Sequence, residues 1–494
     1  MSTDLVLDDS GEAAAEQQLQ RNARKRELIT HYDRLASTRH DWIARSQSFY
    51  EDEYRFQRFL VPEGSRILEI GCGAGHALAS LRPSRGVGLD ISGEMIGKAK
   101  ALFPALEFVQ GDIEDAETVA ALHGPFDAII IADAIGSLED CQSTLERLHS
   151  ICTPHTRLII SYFNQLWRPL LRFGEQVGQR MPHPQQSWLS VRDLSSILDM
   201  ADFEVVRTET RQLVPIRMLG IGTFLNRFIA PLPLIRNLCL RNYVVARSRR
   251  MEHTAPRSAS ILVPCRNERD NIERAVQRLP KFCDDIEILF VEGHSVDGTL
   301  EECHRVKAKY ADRDIKVLVQ QGKGKGNAVR EGFAAARGDV LIILDADLTV
   351  APEDIGKFFA IFASGRGEFV NGTRLVYPMA QGAMRFLNYL ANRTFAVLFS
   401  WILSQRFTDT LCGTKAISRY DYSRLEAGRS YFGEFDPFGD FDLIFGAAKL
   451  NLKIVEIPIR YADRVYGSTQ ISRFRDGWLL LKMVWLAFRK IKAL

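Results

Sequence analysis

Apolar residues along this chain gather into short runs that alternate with stretches of helical periodicity, and the alternation occurs twice. The first series, over about 60–250, places strands at Arg66–Ile70, Gly86–Asp90, Leu106–Asp112, Phe126–Ile131 and Arg157–Ile160, with a further apolar stretch at Asp202–Val206. The second, over about 258–465, opens with Ser260–Glu268, a first strand followed by a turn and a helix, and continues through Glu287–Glu292 and Val340–Leu344. Strands that alternate with helices build α/β domains, so the expected fold class is α/β in two domains. A polar break, Arg247–Pro256, separates them. The expected division is a frayed tail over 1–24, a first domain over 25–250, a linker over 251–257 and a second domain over 258–494. The first domain begins with a helical stretch, 25–58, rich in Arg, Tyr and Phe.

Three apolar stretches fit neither series. Leu213–Leu240 is broken by prolines and arginines and falls short of the roughly 20 apolar residues of a bilayer helix. It reads as a lid, a dimer face or a surface that meets lipid. Met384–Leu403 and Trp478–Leu494 mix aromatics, leucines and basic residues as interfacial helices do. Arg385, Asn388, Asn392 and Arg393 exclude the first as a span, and core or dimer helices are the alternative for both.

With 494 residues the chain exceeds one core, and 46% hydrophobic and 25% charged residues are the mix of soluble globular protein. Lys+Arg 64 balance Asp+Glu 61, which removes the global positive field that nucleic-acid binding relies on. Eight cysteines without a Cys-x-x-Cys pair fit a reduced, cytoplasmic compartment better than a disulfide framework or a zinc site. The Ala/Glu/Gln/Asp-rich start lacks the basic and apolar regions of a signal peptide.

Arg66–Ile70 runs straight into Gly71-Cys-Gly-Ala-Gly75, where glycines at alternate positions permit a sharp turn and close approach of a ligand. Asp90 closes the next strand, at the distance downstream where an acidic residue accepts from ribose hydroxyls. Asp112 closes the third, where an adenine amino group can be read. NAD is the competing ligand, but its Gly-x-Gly-x-x-Gly pattern is not kept, since His76 follows Gly75. The pattern over 60–250 resembles class I S-adenosylmethionine-dependent methyltransferases, with Glu69–Gly75 matching their first motif. The resemblance implies a Rossmann-like fold and a cofactor site in which Glu69, Gly71, Gly73 and Gly75 surround the methionine and ribose, Asp90 binds the ribose, and Asp112 and Ile113 meet the adenine. Methyl transfer from a sulfonium needs orientation more than a base, and His76, His123, His149, His155 and His183 read as structural or solvated.

In the second half, Asp345-Ala-Asp347 ends an apolar run where the strand gives way to a loop, so two hard carboxylates can approach one Mg²⁺ or Mn²⁺. Capping of the next turn is the alternative. Around this pair stand Val263–Glu268, the Gly/Lys loop Gln321–Arg330, Asn371–Arg374, Thr408–Lys415 and Ala462–Gln470. Together these resemble the GT-A glycosyltransferases of family 2, nearest the dolichol-phosphate mannose synthases and polyprenyl-phosphate glycosyltransferases, over 258–490. The resemblance implies a GT-A nucleotide-sugar-binding fold with donor contacts at Pro264, Arg266, Glu268, Glu292 and Lys325 and a metal at Asp345 and Asp347. It also implies phosphate contacts from Arg374 and Arg464, with Arg385 a further candidate. Guanidinium forks suit phosphates. Two positions depart from the family: Gly293 stands where a second acidic residue is common, and Gln470 where the mannose synthases have lysine, with Arg473 and Arg475 nearby. Mannose and GDP are therefore not assigned.

The leaving nucleoside diphosphate must be neutralised, a role for the metal at Asp347 and for Arg464. A lipid phosphate, with a second pKa of about 6, is already anionic and needs no base. A sugar hydroxyl would need a carboxylate, for which Asp409, or Asp440 and Asp442, are the candidates; a helix cap explains the last two equally well. The combined reading is a bifunctional enzyme, peripheral at the inner membrane face. It transfers a sugar with inversion from a GDP- or UDP-sugar to a polyprenyl phosphate or related acceptor, and methylates a related molecule with S-adenosylmethionine. The alternative is a glycosyltransferase whose first domain binds that cofactor without turnover.

Overall fold

The computed structural model describes residues 8–184, 186–216, 218–251, 254–377, 386–433, 439, 441–462 and 473–494. The chain forms two compact units, Met1–Met251 and Glu252–Leu494.

The first unit is built on seven strands: β1 (Arg66–Ile70), β2 (Arg85–Asp90), β3 (Glu107–Gln110), β4 (Ala128–Ala132), β5 (Arg157–Phe163), β6 (Phe203–Arg211) and β7 (Arg241–Ser248). Their order is β3-β2-β1-β4-β5-β7-β6, parallel except for β7, which lies antiparallel to both β5 and β6. Ile129, Ile130 and Ile131 of β4 are all buried, as a strand covered on both faces requires. Three helices precede the sheet, Asp8–Ala36, Arg39–Arg45 and Gln47–Leu60, so the helical stretch expected over 25–58 is divided and the first helix starts earlier in the chain. The third buries Phe56, Phe59 and Leu60. Gly93–Leu102 is capped by Ser92, which accepts from Met95 N, and Val191–Met200 by a reciprocal Ser190–Asp193 capping box.

The second unit has β8 (Ser258–Cys265), β9 (Asp285–Glu292), β10 (Asp314–Val319), β11 (Val340–Ile343), β12 (Phe369–Thr373), β13 (Lys415–Ser418) and β14 (Ile454–Pro458), in the order β10-β9-β8-β11-β13-β12-β14. Only β13 runs antiparallel to its neighbours. Gly332 lets the helix Lys325–Ala335 lie close on the sheet, since a β-carbon there would collide with Leu262 of β8. In both sheets the strand order reverses beside the first strand, between β1 and β4 and between β8 and β11. The carboxyl ends of strands flanking such a reversal open a crevice in which ligands bind. Among the described residues no helix is long and apolar enough to cross a membrane.

Candidate functional site

At the β1/β4 reversal of the first unit lies a cavity of about 940 Å³. Gly71, Gly73 and Gly75 all adopt positive φ (74°, 51° and 80°), which side chains other than glycine adopt at a cost. A β-carbon at Gly71 would lie 2.7 Å from the Ala134 side chain and one at Gly75 2.7 Å from Phe108, whereas at Gly73 it would meet nothing within 4 Å. Gly73 therefore presents bare backbone to the cavity, while Gly75 packs against Phe108. Asp90 holds this turn: its Oδ2 accepts from Gly73 N at 2.7 Å and its Oδ1 from Ser92 N at 2.9 Å. Burial raises the Asp90 carboxyl above its usual range, and the two backbone donors offset part of that rise.

Glu69 is buried and accepts from Leu78 N at 2.9 Å. Burial, reinforced by the carboxylates of Glu53 and Asp90, pushes it up to about 8. Asp112 and Ile113 also line the cavity. Asp112 Oδ2, however, pairs with Lys25 Nζ at 2.5 Å, and Lys25 reaches Glu114 at 3.0 Å. The expected reader of an adenine amino group is thus engaged by an ammonium from the first helix.

Lys25, Tyr32, Arg39, Tyr50, Glu53 and Tyr54 line the cavity from the helices ahead of the sheet, and no motif in the sequence marks them. Arg39 Nη1 donates to Tyr50 Oη at 3.1 Å, and no carboxylate among the described residues pairs with it. Arg241 of β7 lies fully buried, donating to Glu53 Oε1 (2.5 Å), Ser161 Oγ (3.0 Å) and Asp133. Phe163 stacks on its guanidinium at 4.7 Å.

In the second unit, Pro264 lies near the end of β8, and the turn beyond it carries exposed Arg266, Asn267 at φ 56° and buried Glu268. Glu268 Oε2 accepts from Asn271 Nδ2 at 2.7 Å. Glu292 closes β9, and its Oε1 accepts from Ser295 N at 2.5 Å. Both carboxylates shape the turns at the crevice. Asp345 and Asp347 lie just past β11, in the loop. Lys325, at the start of its helix, pairs with Asp345 Oδ1 at 2.7 Å. Asp347 Oδ1 accepts from Thr349 N (3.1 Å) and Oγ1 (2.8 Å). Burial would raise Asp345, but Lys325, then Lys415 and Arg374, draw it below its ordinary value. Gly413 closes over this pair, because a β-carbon there would collide with Asp345 and Lys325 alike.

The described residues contain no cluster of three or more His, Cys, Asp or Glu arranged for a metal. Two hard carboxylates, two residues apart in one loop, nonetheless fit a divalent ion that takes its other ligands from water and phosphate.

Arg374 meets Asp409 in a bidentate pair, Nε to Oδ2 at 2.6 Å and Nη2 to Oδ1 at 2.9 Å. Asn392 Nδ2 (2.9 Å), Leu411 N (3.0 Å) and Arg374 N (3.1 Å) also donate to Asp409, which is fully buried. Burial raises its carboxyl, and Arg374 and these donors bring it below its usual range. The candidate general base Asp409 thus has both oxygens engaged and anchors Arg374. The same pair commits two of the three nitrogens of Arg374 that were expected to face phosphate. Asn392, read from sequence only as interrupting an apolar helix, sits on the buried side of Phe386–Leu403 and helps fix Asp409. Asp442 accepts from Arg429 Nε at 2.8 Å. Asp440, Arg464, Arg385 and Gln470 lie outside the described residues.

Residues 260–416 match the profile of Glycosyl transferase family 2. Glycosyltransferase AglJ of Haloferax volcanii is 30% identical over 229 residues, 46% of this chain and 70% of that protein. The chain belongs to glycosyltransferase family 2. Residues 42–208 match a methyltransferase domain, so this family 2 glycosyltransferase carries a methyltransferase domain ahead of its glycosyltransferase unit. An undecaprenyl-phosphate 4-deoxy-4-formamido-L-arabinose transferase of Edwardsiella ictaluri is 27% identical over 219 residues, 43% of this glycosyltransferase. The chain spans 62% of that relative's length. An S-adenosylmethionine-dependent methyltransferase from Thermotoga maritima superimposes on 45% of this glycosyltransferase and 100% of its own chain, with 17% identity and a TM-score of 0.34.

Proposed function

We propose that the second unit transfers a sugar, with inversion, from a GDP- or UDP-sugar to a polyprenyl phosphate or related lipid-linked acceptor, and that the first unit methylates a related molecule with S-adenosylmethionine. The observation that carries the first half is the saturation of Asp409. With that carboxylate locked to Arg374, an acceptor that needs no base fits the described residues best, and a lipid phosphate, anionic near neutrality, is such an acceptor. The arabinose transferase relative is named for an undecaprenyl phosphate, which supports the same class.

Held by Asp345 and Asp347, a Mg²⁺ or Mn²⁺ would neutralise charge on the departing diphosphate. Lys325 adds a positive charge beside Asp345, and Gly413 leaves room for the pair. Arg374 is held rigid by Asp409, so its remaining Nη1 can meet a phosphate oxygen without reorganisation. Pro264, Arg266, Glu268 and Glu292 are proposed to shape the nucleoside pocket at the edge of β8 and β9.

In the first unit, bound S-adenosylmethionine would supply an electrophilic methyl group. Gly73 leaves backbone open to it, Asp90 keeps lone pairs for ribose hydroxyls, and Arg39, without a carboxylate of its own, suits the methionine carboxylate. Membrane contact of the second unit is proposed to run through exposed Leu390, Val397, Trp478, Leu481 and Trp485, with Lys482 among them.

The test is transfer from a panel of GDP- and UDP-sugars to undecaprenyl phosphate with Mn²⁺, read beside calorimetric titration of S-adenosylmethionine. Transfer to soluble sugar hydroxyls alone would refute the acceptor assignment. Cofactor binding without methylation of any lipid-linked product would reduce the first unit to a binding module.

A further inference from the structure

The helix Arg168–Gln176 buries none of its residues. Leu166, Leu170, Phe173 and Val177 recur at helical spacing along one stripe, and all four are exposed, Phe173 by 58%. Arg168 and Arg172 fall on the opposite side. A surface helix ordinarily turns such a stripe toward the core; this one turns it to solvent. The chain between β6 and β7 does the same. Leu219 is fully exposed, Leu234 86% exposed and Phe224 55% exposed, in a stretch, 213–240, that contains Arg217, Arg227 and Arg236 and no Asp or Glu. Trp167 Nε1 donates to Leu238 O at 2.8 Å and Asn164 Nδ2 to Asn237 O at 3.1 Å, which ties the two segments into one surface. Apolar patches of this extent mark interaction sites, and the exclusive basic charge of the second segment selects an anionic partner.

The same segments border the cavity. Leu171, Gly178 and Arg180 are among its lining residues, as are Pro215 and Ile216. We propose that the first unit docks on an anionic lipid surface through this face, apolar side chains entering the headgroup boundary and exposed Arg236 meeting lipid phosphate, and that its methyl acceptor enters the cavity from the membrane. The docking stands on the surface alone; the route of the acceptor rests on the methyl-transfer reading above.

A nitroxide placed on the full chain at Leu219→Cys reads this face directly, separately from any membrane contact of the second unit. Six of the eight native cysteines are buried, and the unsubstituted protein measures background labelling. On phosphatidylcholine vesicles containing phosphatidylglycerol, the label should become accessible to oxygen and lose access to a nickel chelate. Rising salt should reverse this as surface charge is screened. Leu170→Asn/Phe173→Asn should weaken vesicle partitioning roughly tenfold, with unfolding temperature and S-adenosylmethionine affinity unchanged. A label that stays open to the nickel chelate while the protein sits on vesicles would overturn the proposal. A label shielded before vesicles are added, with a dimeric mass, would assign the face to a second copy of the chain instead. Docking as expected in a protein that binds no S-adenosylmethionine would remove the methyl-transfer reading and leave the docking intact.

Discussion

Replacing Asp409 by asparagine removes the charge that holds Arg374 while keeping the shape. In the wild type, both oxygens of the fully buried carboxylate are saturated, and Arg374 lies against it and over the Tyr461 ring at 5.0 Å. The substitution leaves a guanidinium without its counter-charge, a change that costs about 3–5 kcal/mol out of a total domain stability of about 5–15 kcal/mol. For a unit of this size each kcal/mol moves the unfolding temperature by about 2–4 °C, so the second unit should melt about 6–20 °C lower. Calorimetry of the full chain with and without S-adenosylmethionine separates the transitions, because a ligand raises only the unit that binds it. The folded pKa of Asp409 is depressed. Its contribution is therefore complete above the unfolded value of about 3.9 and is lost as pH falls through the folded value. The gap between wild type and Asp409→Asn should be full at pH 7 and shrink in acid. Arg374→Met/Asp409→Leu, which removes both charges, should recover most of the lost stability. An unchanged melting temperature in Asp409→Asn, with unimpaired sugar transfer, would refute the reasoning.

Asp347→Ala should abolish metal-dependent transfer of a nucleotide-sugar and leave S-adenosylmethionine affinity unaltered, since the two sites belong to different units; wild-type rates in the variant would make the aspartates structural. Gly413→Ala should depress transfer by more than tenfold by displacing Asp345 and Lys325, with far-UV circular dichroism unchanged. Glu69, raised to about 8 against an unfolded value of about 4.3, binds a proton in the fold that it lacks when unfolded, so its protein loses stability as pH rises between those values. Denaturation of Glu69→Gln across that range should show the loss abolished, and parallel pH profiles for variant and wild type would contradict the shift.

The apolar runs that became β1, β4, β8 and β11 were legible because a strand covered on both faces has no reason to alternate. The glycine turn and the Asp-x-Asp loop were legible for a similar reason, since each is a local necessity of chain geometry. What escaped depends on distant partners. β7 carries Arg241, Asn242 and Arg247 within a wholly buried strand, and its two arginines look exposed until Glu53, Asp133 and Glu204 are brought to meet them. Asp112 and Asp409 read as ligand-facing carboxylates until Lys25 and Arg374, 87 and 35 residues away, claim them. Asn392 read as a flaw in an apolar helix because its acceptor is 17 residues further along.

The place of β7 between β5 and β6 also sets an order of events during synthesis. The edge of β5 has no bonding partner until Arg241–Ser248 has left the ribosome, because β6, made some thirty residues earlier, pairs with β7 and not with β5. A nascent chain halted at residue 240 would carry an open sheet edge beside β6 residues with nothing to join, a state open to proteases and to pairing with other chains. The matched methyltransferase profile stops at residue 208, inside β6. A fragment cut at that boundary would reproduce this unfinished intermediate permanently, however complete its glycine turn.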